Sequence, residues 1–256
     1  MQHHRRVDVL GVHISAVDPQ SAVDTITDWV QTRQREYVCV TGVHGVNECQ
    51  HDAELTRIHN QSGLTTPDGM PMVWCSKLAG ARSTRRVYGP DLMHDVLAVA
   101  ARQGWTSYLY GSSDVVLAEL QHRLENQHPG LRIVGSCSPP FRELNDHEQR
   151  DIVAQINAVD PDLVWVGLST PKQERWMAAM RPQLQARVLL GVGAAFDFHS
   201  GNKRQAPRWM QRTGLEWLFR LMCEPRRLWK RYLLGNTRFI AAIVRRRPRL
   251  VERAPS

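Results

Sequence analysis

The chain has 256 residues, 42% of them hydrophobic, enough for one sizeable core or one core with an appendage. Its five cysteines (Cys39, Cys49, Cys75, Cys137, Cys223) are scattered and odd in number, with no C-x-x-C pair. That pattern argues against a disulfide framework or a zinc site and fits reduced cytosolic thiols. The net charge of +8 is unevenly placed: residues 203–256 hold 15 of the 33 Lys/Arg and 3 of the 25 Asp/Glu, a net of +12, which leaves the first 202 residues at −4. A mildly acidic body with a strongly basic tail points to a polyanionic partner, either nucleic acid, a phosphate-rich substrate or an anionic membrane surface.

The opening "MQHHRRVDVLGV" lacks the apolar stretch and small-residue site of a signal peptide, and no run reaches the ~18 apolar residues that span a bilayer. "VDVLGVHI" (7–14) reads as a strand, and "PQSAVDTITDWVQTR" as a helix with Ala22, Ile26 and Trp29 at helical spacing. "EYVCVT" (36–41) is a strand, Val46 to Asn60 a helix, and "GLTT" a short strand that runs into Pro67-Asp68-Gly69. "DLMHDVLAVAARQG" is a helix stopped by Gly104, "WTSYLYG" a strand, and Ser112 or Ser113 caps the helix "DVVLAELQHRLENQHPG". "LRIVGS" is a strand, "NDHEQRDIVAQINAV" a helix capped at Asn145 or Asp146, and "DLVWVGL" a nearly continuous apolar strand. "PKQERWMAAM" opens a helix with Pro at its first position, and "ARVLLGVGAAF" is the last buried strand.

This alternation predicts an α/β, Rossmann-like body, a mostly parallel sheet with helices on both faces. After Gly201 the chain turns helical, aromatic and cationic with no strand signal, so a boundary is expected near 195–205, and the final "RRRPRLVERAPS" is expected to fray. The predicted division is a body (1–202) and a helical, basic C-terminal appendage (203–256).

Ligands of such sheets lie beyond the carboxyl ends of the strands. Thr41-Gly42, Pro67-Asp68-Gly69, Gly111-Ser112-Ser113, Gly167-Leu168-Ser169-Thr170-Pro171 and Gly191-Val192-Gly193 all fall there. Asp68 is the one carboxylate in "TTPDGMPMVW"; Asp-Gly is also a favoured turn pair, so a plain turn stays open. "GLSTPKQERW" (167–176) joins two hydroxyls, a helix amino end, Lys172, Gln173 and Glu174, which suits an anion as well as it suits a capped helix with solvated charges. It lacks the Walker spacing, and no G-x-G-x-x-G is present, so no nicotinamide cofactor is expected. Asp197, in "AAFDFHSGNKRQAP", is either a helix cap or an acceptor for a base or ribose.

In "LEWLFRLMCEPRRLWKR" (215–231), Arg220, Arg227 and Arg231 share a face if the helix is continuous, with Pro225 able to kink that register. Trp217, Phe219, Trp229 and Tyr232 interleave with them, which favours a working face over a solvated one, and guanidinium forks suit diphosphate oxygens. "DPD" (160–162) precedes an apolar strand, on the wrong edge for a metal site. The eleven histidines show no ligand spacing, so neither a metal nor any other cofactor is expected.

The ordered motifs "TPDGMPMVW", "RRVYGPDLM", "YLYGSS", "VGLSTPKQERW", "LLGVGAAFDFHSGNKRQAP" and "LEWLFRLMCEPRR" resemble those of the WecG/TagA/CpsF glycosyltransferases, from about residue 7 to about 240. "VTGVHGVNECQ" with "PDGMPMVW" is similar to the branch associated with exopolysaccharide clusters. The resemblance implies an inverting, metal-independent transfer of a sugar from a UDP-sugar (UDP-glucose or the UDP-N-acetylmannosamine/uronic acid type) to a polyprenyl-diphosphate-linked sugar at the cytoplasmic membrane face. It implies Asp68 as base, Thr41 near the donor, and appendage arginines Arg220 and Arg227 on the diphosphate. A third cation falls on Lys230, with Arg231 adjacent as a substitute. Gly111, Gly167, Pro171, Lys172, Gln173, Glu174 and Asp197 are the expected donor-side contacts. Many members carry an asparagine two residues after the threonine; here Val43 stands there, leaving His44, Asn47 or nothing in its role.

The tail would bring cations and Trp229, Tyr232, Phe239 and Ile240 to anionic lipid, closing the appendage over Asp68. Removing residues after about 205 is then expected to leave a folded, inactive body. No nucleic acid is an expected partner and homo-oligomers stay open. The competing class is a nucleic-acid-binding protein with a basic helical arm, though no helix-turn-helix, RRM or KH signature supports it. A soluble nucleotide-sugar epimerase is a further alternative, which the missing dinucleotide motif disfavours.

Overall fold

A computed structural model describes residues 4–251 and begins with a hairpin. Strands β1 (Arg6–Val9) and β2 (Val12–Ser15) pair antiparallel, with Val7 opposite Ile14 and Val9 opposite Val12. The single strand expected over 7–14 is therefore two. Leu10 and Gly11 take φ of 55° and 92°, the two positive values a tight hairpin turn demands. The turn escapes the pattern because Leu10 continues the apolar run.

The elements that follow are α1 (Pro19–Gln31), β3 (Glu36–Thr41), α2 (Val43–Cys49), α3 (Ala53–Gln61), β4 (Leu64–Pro67), α4 (Met70–Leu78), α5 (Gly89–Gln103), β5 (Thr106–Gly111), α6 (Asp114–Gln127), β6 (Arg132–Cys137), α7 (Asp146–Ala158), β7 (Leu163–Gly167), α8 (Lys172–Met180), β8 (Val188–Gly191) and α9 (Ala195–His199). The tail forms α10 (Arg208–Thr213), α11 (Glu216–Cys223), α12 (Pro225–Trp229), a π-helical turn (Lys230–Leu234), α13 (Gly235–Arg245) and β9 (Arg249–Leu250).

Local chemistry explains most boundaries. Asn145 caps α7 in a reciprocal box with Glu148, and Ser113 caps α6. The helix expected over 46–60 is broken because Asp52 accepts the Leu55 N–H at 2.9 Å and starts α3 anew. Pro171 lies one residue before α8, after a cis Thr170–Pro171 bond, so Lys172 and not Pro171 is the first helical residue.

Six strands form a parallel sheet in the order β4-β3-β8-β7-β5-β6, which bears out the expected α/β, Rossmann-like class. A second sheet has the order β2-β1-β9. Its third strand corrects two expectations, that the tail holds no strand and that its end frays: Leu250 pairs with Val7 and Arg249 with Asp8. Residues 252–256 of the segment expected to fray lie outside the described residues.

The described chain groups into two compact units, neither continuous in sequence: residues 4–21, 40–88 and 205–251 in the first, 22–39 and 89–204 in the second. The first unit has a core of Val7, Val9, Leu10, Val12, Ile14, Val46, Cys49, Leu55, Met72, Cys75 and Phe239, with Ala242, Ile243 and Leu250 packed against it. Asn47 Nδ2 donates to Gly235 O at 2.9 Å. Phe239, expected to enter lipid headgroups, is 5% exposed and belongs to this core. Truncation at 205 would take Phe239, Ala242, Ile243 and Leu250 from this core.

In the second unit β5 leads through α6 to β6 on one side, and β7 through α8 to β8 on the other. The adjacent carboxyl ends of β5 and β7 thus form a topological switch point, where ligands of such sheets bind.

Candidate functional site

In the first unit, β4 ends at Pro67 and delivers Asp68, and Gly69 (φ 85°) turns the chain into α4. The turn and the lone acid are therefore both real. The Asp68 N–H donates to Thr41 O at 2.9 Å, which ties the ends of β3 and β4 together. Gly42 is needed for this closeness, because a Cβ there would stand 2.9 Å from Asp68 O. Thr41 is 2% exposed, and its Oγ1 has no hydrogen-bond partner among the described residues. Val43 packs against the unit's core, and one N–H of the Asn47 amide is held by Gly235 O.

The environment of Asp68 is cationic. Arg86 Nη2 lies 3.7 Å from Asp68 Oδ1, with the carboxylate side chain 33% exposed and Arg86 13%. Arg86 also pairs with Glu216 through the same nitrogen, donates to Gln211 Oε1 at 3.4 Å, and stacks over Tyr88 at 4.0 Å. Burial pushes the Asp68 pKa up to about 6; Arg86, Arg220 and Arg231 oppose that rise and Glu216 adds to it. Asp68 therefore titrates near pH 6 and not in the usual carboxylate range. Burial likewise raises the Tyr88 phenol, which stays neutral beside the acid.

The structure brings Arg220 and Arg231 into the field of Asp68, together with Tyr232. Arg231 Nε and Arg86 Nε are buried donors without hydrogen-bond partners among the described residues. The single helix face expected for 215–231 is broken: α11 ends at Cys223, Pro225 starts α12, and a π-helical turn follows. Arg227, placed on that face by the sequence, pairs instead with Glu224 and is 56% exposed. Lys230 points to the Trp229 ring, 5.5 Å from its centroid, so Arg231 rather than Lys230 faces Asp68. Arg86, Tyr88 and Glu216 were missed. Arg86 stood in the quoted motif "RRVYGPDLM", and Glu216 is one of only two acids between residues 205 and 251.

The second unit holds the other expected residues. Gly111 and Gly167 are paired partners at the switch point. A Cβ on Gly111 would meet Gly167 backbone at 2.8 Å, and one on Gly167 would meet the Phe196 ring at 2.5 Å, so only glycine fits at either. Beyond Pro171, exposed Lys172 starts α8, while Gln173 and Glu174 turn inward at 2% and 0% exposure. Thr170 Oγ1 and Gln173 Nε2 donate to Glu174 Oε1 at 2.8 and 3.1 Å. Gln173 Oε1 and Glu174 Oε2 remain buried without hydrogen-bond partners among the described residues. That leaves two polar acceptors at a ligand-type crevice, a costly arrangement unless something donates to them. Tyr110 and Trp176 stack at 4.1 Å beside them. Asp197 accepts from Asn202 Nδ2 at 3.1 Å and lies 3.2 Å from Lys203 Nζ, which makes it a local staple at the end of α9. Among the described residues no group of three or more His, Cys, Asp or Glu is arranged to hold a metal ion, and no helix is long and apolar enough to cross a membrane.

A family model described as "Glycosyl transferase WecG/TagA/CpsF family" matches residues 7–253. A Bacillus subtilis protein named N-acetylglucosaminyldiphosphoundecaprenol N-acetyl-beta-D-mannosaminyltransferase is 30% identical over 234 residues, 91% of this chain and 79% of its own. A protein of the same name from Bacillus spizizenii is 30% identical over 77% of this chain and 74% of its own, and one from Staphylococcus aureus is 25% identical over 88% and 86%.

Proposed function

This chain belongs to the WecG/TagA/CpsF glycosyl transferase family and is a glycosyltransferase; on that footing we propose that it moves a sugar from a UDP-sugar to a polyprenyl-diphosphate-linked sugar, with inversion and without a metal. The names of its relatives support the acceptor class, since they specify an N-acetylglucosaminyl-diphosphoundecaprenol. The donor is UDP-glucose or the UDP-N-acetylmannosamine/uronic acid type, and the product feeds a cell-surface polysaccharide.

The observation that carries the mechanism is Asp68: one partly exposed carboxylate with a pKa of about 6, ringed by Arg86, Arg220 and Arg231. At neutral pH it is mostly ionised yet basic enough to take a proton, the balance general-base catalysis needs. In the transfer, the acceptor hydroxyl oxygen forms a bond to the anomeric carbon as the bond from that carbon to the donor phosphate breaks. UDP leaves with the electron pair, and the hydroxyl proton goes to Asp68. The unpartnered donors of Arg231 and Arg86 suit the negative charge that builds on the leaving diphosphate. Arg220 adds to that field, while Arg227 and Lys230, exposed at the surface, serve the membrane rather than the reacting centre. In the second unit the loops after β5 and β7 present the buried acceptors of Gln173 and Glu174 to a hydroxyl or N–H donor such as a nucleoside offers.

Membrane association follows from the tail. Ile240 and Val244, both exposed, lie four residues apart on one face of α13, and Leu233, Arg238 and Arg245 are exposed in the same segment. The protein then acts as a peripheral enzyme on the cytoplasmic leaflet, where anionic lipid attracts the basic segment by about 1 kcal/mol per Lys/Arg. The test is mass-spectrometric identification of product from purified protein, a short lipid-diphosphate-sugar acceptor and a panel of UDP-sugars. Salt-sensitive DNA binding without transfer would instead support the nucleic-acid-binding alternative.

A further inference from the structure

The ion pair between Arg86 and Glu216 is nearly out of solvent, at 13% and 15% side-chain exposure. Buried pairs seldom add net stability over apolar packing, so this one calls for another reason. Glu216 opens α11 inside a segment rich in arginine, and the other acid of residues 205–251, Glu224, is paired with Arg227. The Arg86 guanidinium is held from the tail side by Glu216 and Gln211 and from below by the Tyr88 ring. Asp68 Oδ1 stands 3.7 Å from it, beyond the roughly 2.7–3.2 Å of a hydrogen bond.

We propose that Glu216 is a positioning residue: by holding Arg86, it stops that guanidinium from forming a direct, charge-assisted bond to the Asp68 carboxylate, and so keeps the carboxylate available to take the acceptor's proton. The inference rests on Asp68 being the base. Its chemistry is a choice of partner. A carboxylate gripped by an arginine fork is a poor base, because the fork stabilises its charged form. Two anions share one guanidinium here, and the closer one takes the hydrogen bond. The remaining groups facing Asp68 are Arg220 from α11, Arg231 and Tyr232 from the π-helical turn, and Tyr88 from the segment before α5. Glu216 also acts electrostatically on Asp68, Tyr88, Arg220 and Tyr232, and its short ion pair with Arg86 is the contact through which it positions a cation at Asp68. Because Glu216 belongs to the tail and Asp68 to the β4 end, the tail sets the strength of the base as well as supplying cations.

The test is the pH dependence of transfer by the full chain, in wild type, Glu216→Gln and Glu216→Asp. Wild type is expected to lose rate below about pH 6. In Glu216→Gln, Arg86 swings onto Asp68: the acid limb moves down by about one pH unit and the plateau rate falls about tenfold, with donor KM unchanged. Glu216→Asp, one methylene shorter, keeps the pair and lies between the two, which leaves a readable variant should the glutamine protein fold poorly. A purely structural Glu216 would lower rates at every pH without moving the limb, and a limb that stays in place in both variants overturns the inference alone. A flat wild-type profile between pH 5 and 7.5 overturns Asp68 as the base and the inference with it.

Discussion

Asp68 combines a turn position with a chemical role, and the two make opposite demands on stability. Its folded pKa is raised above the unfolded value of 3.8 to about 6, so the folded state holds the proton more tightly. The favourable contribution is fully present below the unfolded pKa and is lost as pH rises through about 6. Asp68→Asn should therefore melt roughly 2–4 °C higher than wild type at pH 7.5, for about 1 kcal/mol after allowance for its partial exposure. The same variant should lose transfer, which calorimetry and an assay on one sample would check together; a lower melting temperature would speak against a strained acid. Gly167→Ala tests the switch point at the same scale. A methyl group 2.5 Å from the Phe196 ring should cost about 1–3 kcal/mol and weaken UDP binding, measurable by denaturant melts and calorimetric titration.

The tail's elements were only half legible. Its helices, cations and aromatics could be read from periodicity, and so could the caps at Ser113 and Asn145. Its breaks could not, because Pro225 permits a kink, a stop or a new start, and only packing chooses among them. That choice pairs Arg227 with Glu224 and brings Arg231 into the field of Asp68. The turn at Leu10–Gly11 was hidden because Leu10 continues the apolar run, and the two-residue strand β9 because it is set by partners distant in the chain, Asp8 meeting Arg246 at 2.8 Å and Arg249 at 3.4 Å. Burial alone would raise the Asp8 pKa, but the Gly11 N–H, Arg246 and Arg249 outweigh it and hold it below the usual value. A depressed carboxylate stabilises above its unfolded pKa and loses that contribution as pH falls through its folded one. Asp8→Asn should thus cost about 2 kcal/mol at pH 7 and almost nothing under strongly acidic conditions, as urea melts at both would report. Phe239→Ala should cost about 3–5 kcal/mol by emptying the first unit's core, the outcome that a detachable tail would not produce.

Over the whole molecule, the charge asymmetry visible in composition corresponds to a tail that serves two purposes. One side completes the core and reaches Asp68; the other presents Leu233, Ile240 and Val244 among exposed cations. Sequence motifs were enough to locate Asp68 and the glycines at the strand ends, since a lone acid and forced glycines leave local traces. Arg86 and Glu216 left weaker ones, because an ion pair spanning 130 residues has no spacing to read. Ile240→Asp with Val244→Asp should reduce flotation with anionic liposomes several-fold while leaving the melting temperature within about 2 °C, because both side chains face outward. The central claim is tested most directly by transfer from a UDP-sugar to a lipid-diphosphate-sugar acceptor, comparing wild type with Asp68→Asn at pH 7.5. Loss of turnover by a factor on the order of 10²–10⁴ with UDP affinity retained is the predicted result; undiminished turnover in the asparagine variant would contradict it.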